Sequence, residues 1–169
     1  MFRITVTPLA AAQIDSAYPL VREVAPDLTA AAWRRYARRA IGAAATGRAG
    51  ILAARREGRP FPCGLVCYRK DEDLARGTVL VASHFVALDI LDPHPVLAAL
   101  VAELEALAPR LGCAAVHASV ADHAPELAVV LAHAGHRRDG HMLTKTTTPA
   151  DPAAGRSTPD ANRRDVGPS

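Results

Sequence analysis

A chain of 169 residues, half of them hydrophobic and 22% charged, is sized and composed for one soluble domain with a single core; aromatics make up only 4%, so that core is aliphatic. The formal net charge of +3 permits a nucleic-acid partner without indicating one, and no uninterrupted apolar stretch reaches the roughly 18 residues that a bilayer span requires. Three cysteines and an N-terminus, M-F-R-I-T-V-T-P, without the order of a secretory signal point to free thiols in a reducing cytoplasm.

Phe2, Ile4 and Val6 alternate with Arg3, Thr5 and Thr7, the period of a strand with one buried face, and Pro8 ends it. Ile14, Ala17, Tyr18, Val21 and Val24 follow helical spacing up to Pro26, and Asp27 or Thr29 can cap a second helix carrying W-R-R-Y-A-R-R-A-I. From Gly50 the pattern becomes a meander of three strands: G-I-L-A-A-R-R, then F-P-C-G-L-V-C-Y-R-K, a charged loop D-E-D-L-A-R-G, and T-V-L-V-A-S-H-F-V-A-L-D-I. The last of these is apolar on both faces and is expected to run between two covering layers.

After Pro95, the residues Leu97, Leu100, Val101, Leu104 and Leu107 form one helical stripe that Gly112 stops. Cys113 to Val120 reads as a strand, P-E-L-A-V-V-L-A-H-A-G as a helix ended by Gly135, and R-R-D-G-H-M-L-T-K-T-T as a closing strand. From about Thr148 little remains to bury, and a disordered tail over 148–169 is expected. The order β-α-α-β-β-β-α-β-α-β belongs to the α/β class with a mixed sheet.

In that order and at those lengths, residues 2 to about 147 resemble the GNAT superfamily, the acetyl-CoA-dependent N-acetyltransferases. L-E-A-L-A-P-R-L-G-C-A-A-V-H-A-S-V is similar to the family's third helix running into its fifth strand. V-V-L-A-H-A-G-H-R-R-D-G-H-M-L-T-K resembles its last helix, glycine turn and closing strand. The resemblance implies an α/β domain over 1–147 with a mixed, mostly antiparallel sheet of six or seven strands, helices on both faces, and a splay between strands 4 and 5. It implies acetyl-CoA as the cofactor, its pantetheine arm along strand 4 at Val86 and Leu88. Its pyrophosphate would lie at the start of the third helix on the N–H groups of Val96, Leu97 and Ala98, with charge lent by His94.

The chain departs from the family's pattern at that helix start. The Arg/Gln-x-x-Gly-x-Gly/Ala turn falls on Asp92, Pro93, Pro95 and Leu97: a negative charge, two residues without N–H, and added bulk. Proline there is also good helix-start chemistry in its own right. The family's thiolate-protonating tyrosine corresponds to Leu131, and a frequent asparagine to Ala124.

Direct attack of an amine on a thioester needs a base and donors for the developing oxyanion. His84, whose imidazole type titrates near neutrality, and Asp89 are the candidate bases. The implied activity is transfer of an acetyl group to an amine of a small molecule or protein. The alternative is a catalytically inactive GNAT-fold binding or regulatory module. A homodimer stays open, and neither a membrane nor a nucleic acid is an expected partner, although Arg34, Arg35, Arg38 and Arg39 share a helix face. His117, His123, His133, His136 and His141 gather late in the chain, but without an H-x-x-x-H or C-x-x-C pair no metal site is expected. Cys63 and Cys67 lie too far apart along a strand for a disulfide.

Overall fold

Two apolar layers, one on each face of a five-stranded sheet, hold nearly all of the buried side chains. The residues described by the computed structural model are 3–89, 92–122, 124–140 and 145. The chain divides into two units, Met1–Arg137 and Arg138–Ser169, and every described helix and strand belongs to the first. These elements are β1 (Ile4–Pro8), α1 (Ile14–Val24, entered through a 3-10 turn at Ala11–Gln13), α2 (Ala30–Ala44), β2 (Ala49–Arg56), β3 (Gly64–Asp73), β4 (Gly77–Ala87), α3 (His94–Arg110), β5 (Ala115–Ala118) and α4 (Pro125–His133). The strands stand in chain order. β1 to β4 are antiparallel neighbours, and β5 runs parallel to β4 because the α3 crossover returns the chain to the same end.

Period-2 alternation sorts the strands' side chains between the layers. Ile51, Ala53, Leu65 and Cys67 face α1 and α2, whereas Leu52, Ala54, Val66 and Tyr68 face α3 and α4. Thr29 caps α2 by accepting the Ala32 N–H at 3.2 Å, one of the two caps expected from the sequence. Trp33, 1% exposed, anchors the α1/α2 layer and donates its indole N–H to the Ile14 carbonyl at 2.7 Å. On the other face the stripe of α3 buries Leu97, Leu100, Val101 and Leu104. Gly64 permits this approach, since a Cβ there would sit 2.5 Å from Val96 Cγ1 and 3.0 Å from the Val86 carbonyl oxygen.

Several boundaries differ from expectation. β3 continues through Lys70 to Asp73, into what reads as a charged loop, because those residues pair with Gly77 to Leu80 across a three-residue turn. Asp73 closes that turn by accepting the Ala75 and Arg76 N–H groups at 2.9 Å each. Five strands are described where six or seven are expected. The closing strand expected over 137–147 lies largely outside the described residues, as do Phe2, Ile90 and the expected tail. Among the described residues, no helix is long and apolar enough to cross a membrane.

Cys63, Cys67 and Cys113 are free thiols. Burial pushes all three above the ordinary thiol range, Cys67 to about 11, and raises the phenols of Tyr36 and Tyr68. The folded protein therefore keeps protons that the unfolded chain releases from about pH 8.5 upward. The stability these groups contribute is complete below that pH and is lost as pH rises toward 11. Thermal midpoints at pH 8 and pH 10 should show a fall; equal midpoints would contradict the burial.

Candidate functional site

The sheet opens between β4 and β5. Their parallel pairing runs from Val79 opposite Ala115 to Ala82 opposite Ala118, and a last bond joins the Ser119 N–H to the Ala82 carbonyl at 2.9 Å. β4 continues to Ala87 with no strand on that edge among the described residues. On its other edge β4 stays paired to β3, with Cys67 opposite Ser83 and Leu65 opposite Val86. His84 and Phe85 thus oppose Val66 alone, a β-bulge. The extra residue shifts the side-chain phase: Leu80, Ala82 and then Phe85 face α3, while Val86 enters the α1/α2 layer.

The bulge sets which backbone groups are offered to the opening. Leu88 donates its N–H to the Cys63 carbonyl at 2.8 Å, so the alternation of an antiparallel ladder turns Val86 toward β3 as well and Ala87 toward the opening. The Val86 side chain is buried and Leu88 is exposed. Of the arm-contacting positions expected from the sequence, the backbone of neither Val86 nor Leu88 lies on the open edge; that of Ala87 does.

His84 occupies the bulge with φ of 55°, a left-handed conformation unusual for a residue with a side chain. Its ring is exposed, with Nδ1 3.0 Å from the Ser83 hydroxyl. The side chain of Asp89 is 8% exposed and ion-paired to Arg56 at the end of β2. Beside Ser83 and α2, a groove of about 260 Å³ is lined by Tyr36, Arg39 and Arg69. Tyr36 stacks on Trp33 with centroids 6.2 Å apart. Its phenol, raised by burial and by Cys67, stays protonated at neutral pH. Arg69 is paired to Asp71 at 2.5 Å, whereas no carboxylate among the described residues pairs with Arg39. The sequence places Arg39 on a helix face but does not disclose this groove, because nothing local joins α2 to β3 and Ser83.

The start of α3 is closed by its own residues. Of the N–H positions that a helix N-terminus leaves without an internal partner, Pro93 and Pro95 have none. The His94 N–H goes to Asp92 Oδ1 at 2.9 Å, and the Val96 N–H to the Pro93 carbonyl at 3.1 Å. Leu97 donates to the same carbonyl at 3.0 Å, and Ala98 lies within the regular ladder. His94 also holds Asp92 Oδ1 with Nδ1 at 2.7 Å, and the backbone and ring contacts of His94 lower the Asp92 carboxyl below its usual range. Val96 and Leu97 turn their side chains into the core.

The remaining candidates are dispersed. Leu131 is buried in the α3/α4 layer and Ala124 packs at its edge. Arg34 pairs with Asp15 at 2.7 Å, and His136 with Glu105 at 3.0 Å. His133 is exposed, His117 lies on β5 with a buried Nε2 lacking a hydrogen-bond partner, and His123 and His141 fall outside the described residues. Among the described residues, no three His, Cys, Asp or Glu side chains are grouped to hold a metal ion.

The fold of this unit is that of solved N-acetyltransferases. The aminoglycoside N-acetyltransferase AAC(6')-Iy, in complex with CoA, matches with a TM-score of 0.73 at 12% identity, over 87% of this chain and 96% of that one. AAC(6')-Ih from Acinetobacter baumannii gives 0.70 at 12% identity, over 88% and 100%. Glucosamine-6-phosphate N-acetyltransferase from Arabidopsis thaliana gives 0.69 at 12% identity, over 86% and 99%. At such identities the likeness is one of fold, and it is the GNAT fold expected from the sequence. No family model and no curated protein sequence matches the chain.

Proposed function

We propose that this protein is an N-acetyltransferase that takes an acetyl group from an acetyl-CoA-type thioester and places it on an amine of a small molecule or protein in a reducing cytoplasm. The observation that carries this reading is the open, bulged edge of β4 from Ser83 to Ala87. An extended amide-bearing arm can pair there as an added strand, with Ala87 as its main-chain partner. Acetyl-CoA, the cofactor this fold implies, would supply an acyl group already activated as a thioester. Its pantetheine part suits that edge; its diphosphate does not suit the closed start of α3.

The chain's own residues would do the following. With Nδ1–H donated to Ser83, His84 presents the Nε2 lone pair and takes the proton of the attacking amine. The exposed ring can then pass that proton, through water, to the thiolate that would leave as the C–S bond breaks and the amide forms. The groove of Tyr36, Arg39 and Arg69 beside Ser83 receives the acceptor. Asp89, engaged by Arg56, fixes the exit of β4 and leaves His84 as the base. The alternative, a non-catalytic binding module on the same fold, has the closed α3 start and the apolar Leu131 on its side.

Release of free thiol from acetyl-CoA in the presence of a panel of primary amines, paired with thermal unfolding, separates the two. A donor at 100 times its dissociation constant adds about 2.7 kcal/mol and raises the midpoint by several degrees. Amine-dependent thiol release with that shift is expected. A shift without turnover would favour the binding module, and neither would remove the acetyltransferase reading.

A further inference from the structure

We propose that the start of α3 is closed to a diphosphate by its own Asp92 carboxylate, so that the acyl donor is recognised through its pantetheine thioester portion alone and thioesters lacking the diphosphate serve equally well. This rests on the acetyl-transfer reading above and specifies its donor. A helix N-terminus holds an anion through unpaired N–H groups and the positive end of its dipole. Here every such group is accounted for: two positions are prolines, the His94 N–H is bonded to Asp92, and the Val96 N–H is bonded to Pro93.

The dipole is already met by the negative charge of Asp92, and the adjacent His94 ring is committed to the same oxygen. A diphosphate approaching this point meets a carboxylate and, among the described residues of α3, no helix-start N–H left unpaired, so it is repelled unless the Asp92 turn opens. The β4 edge carries no such obstruction, being free of a partner strand from Ser83 to Ala87 among the described residues. The donor's two ends therefore meet opposite conditions. Its amide-bearing arm finds a strand edge to pair with, and its charged end finds a helix start occupied by an internal anion.

The test compares acetyl-CoA with S-acetylpantetheine in thiol release at a fixed saturating amine. The expected kcat/KM values agree within about threefold, since no charge-assisted hydrogen bond distinguishes the donors. A preference for acetyl-CoA above about 100-fold, the gain of two such bonds, would overturn the inference while leaving the acetyltransferase reading intact. Transfer from neither donor would remove that reading and this inference with it. Asp92→Ala removes the charge and frees the His94 N–H, and it should raise kcat/KM for acetyl-CoA about tenfold with no gain for S-acetylpantetheine. An equal change for both donors would show that Asp92 does not guard the helix start.

Discussion

Trp33→Ala is expected to lower the unfolding free energy by about 3–5 kcal/mol, the range for truncating a fully buried tryptophan. The side chain is 1% exposed, and it lies where α1, α2 and the sheet meet, among Ile14, Ala17, Ala37 and Leu65. Two losses combine. The apolar ring leaves a cavity that α1 cannot fill without moving off β4, and the Ile14 carbonyl loses the indole N–H that binds it at 2.7 Å. Trp33→Phe should cost less, because much of the ring volume stays and only the polar contact and the second ring are removed. As Trp33 is the only tryptophan, urea unfolding has to be followed by far-ultraviolet circular dichroism. A cost below about 1 kcal/mol for the alanine variant would mean that the α1/α2 layer does not depend on this anchor.

The second large effect falls on activity. His84→Ala should reduce kcat/KM by about 10²–10⁴-fold, the usual contribution of a positioned general base. In a glycine variant stability should not fall with activity, for a reason visible in the backbone. With φ of 55°, His84 carries the left-handed penalty that glycine avoids, so His84→Gly should keep or raise the thermal midpoint by the equivalent of up to about 1 kcal/mol. A variant at least as stable and far less active separates a functional residue from a structural one. Loss of the acid limb of the pH–rate profile in His84→Gln would support the same role. Activity within about threefold of wild type in the alanine variant would instead assign His84 to the bulge alone.

Much of the fold is legible in the sequence because its signals are local. Alternating residues in β1, the short apolar run of β2, the Thr29 cap, the Leu97–Leu100–Leu104 stripe and the glycines that end helices each act within one or two turns of chain. The β3 hairpin reads too short, because Asp71 to Asp73 look like loop residues until the cross-strand partners from Gly77 to Val79 are seen. The bulge is invisible for a different reason: Val79 to Val86 is apolar on both faces for most of its length, so a one-residue change of phase leaves no mark on the pattern. The charge of Asp89 is plain in the sequence, whereas its ion pair with Arg56 is not, because that partner stands on another strand.

Neighbouring residues alone dictate the elements, their order, and the poor chemistry of Asp92, Pro93 and Pro95 for holding an anion, since capping, periodicity and the absence of a proline N–H all act within a few positions of chain. It takes the assembled sheet and its covering helices to part β4 from β5 after Ala82, to turn Ala87 toward the opening, and to bring Tyr36, Arg39 and Ser83 into one groove. Those features depend on pairing and packing between segments far apart in the chain, which no local pattern encodes.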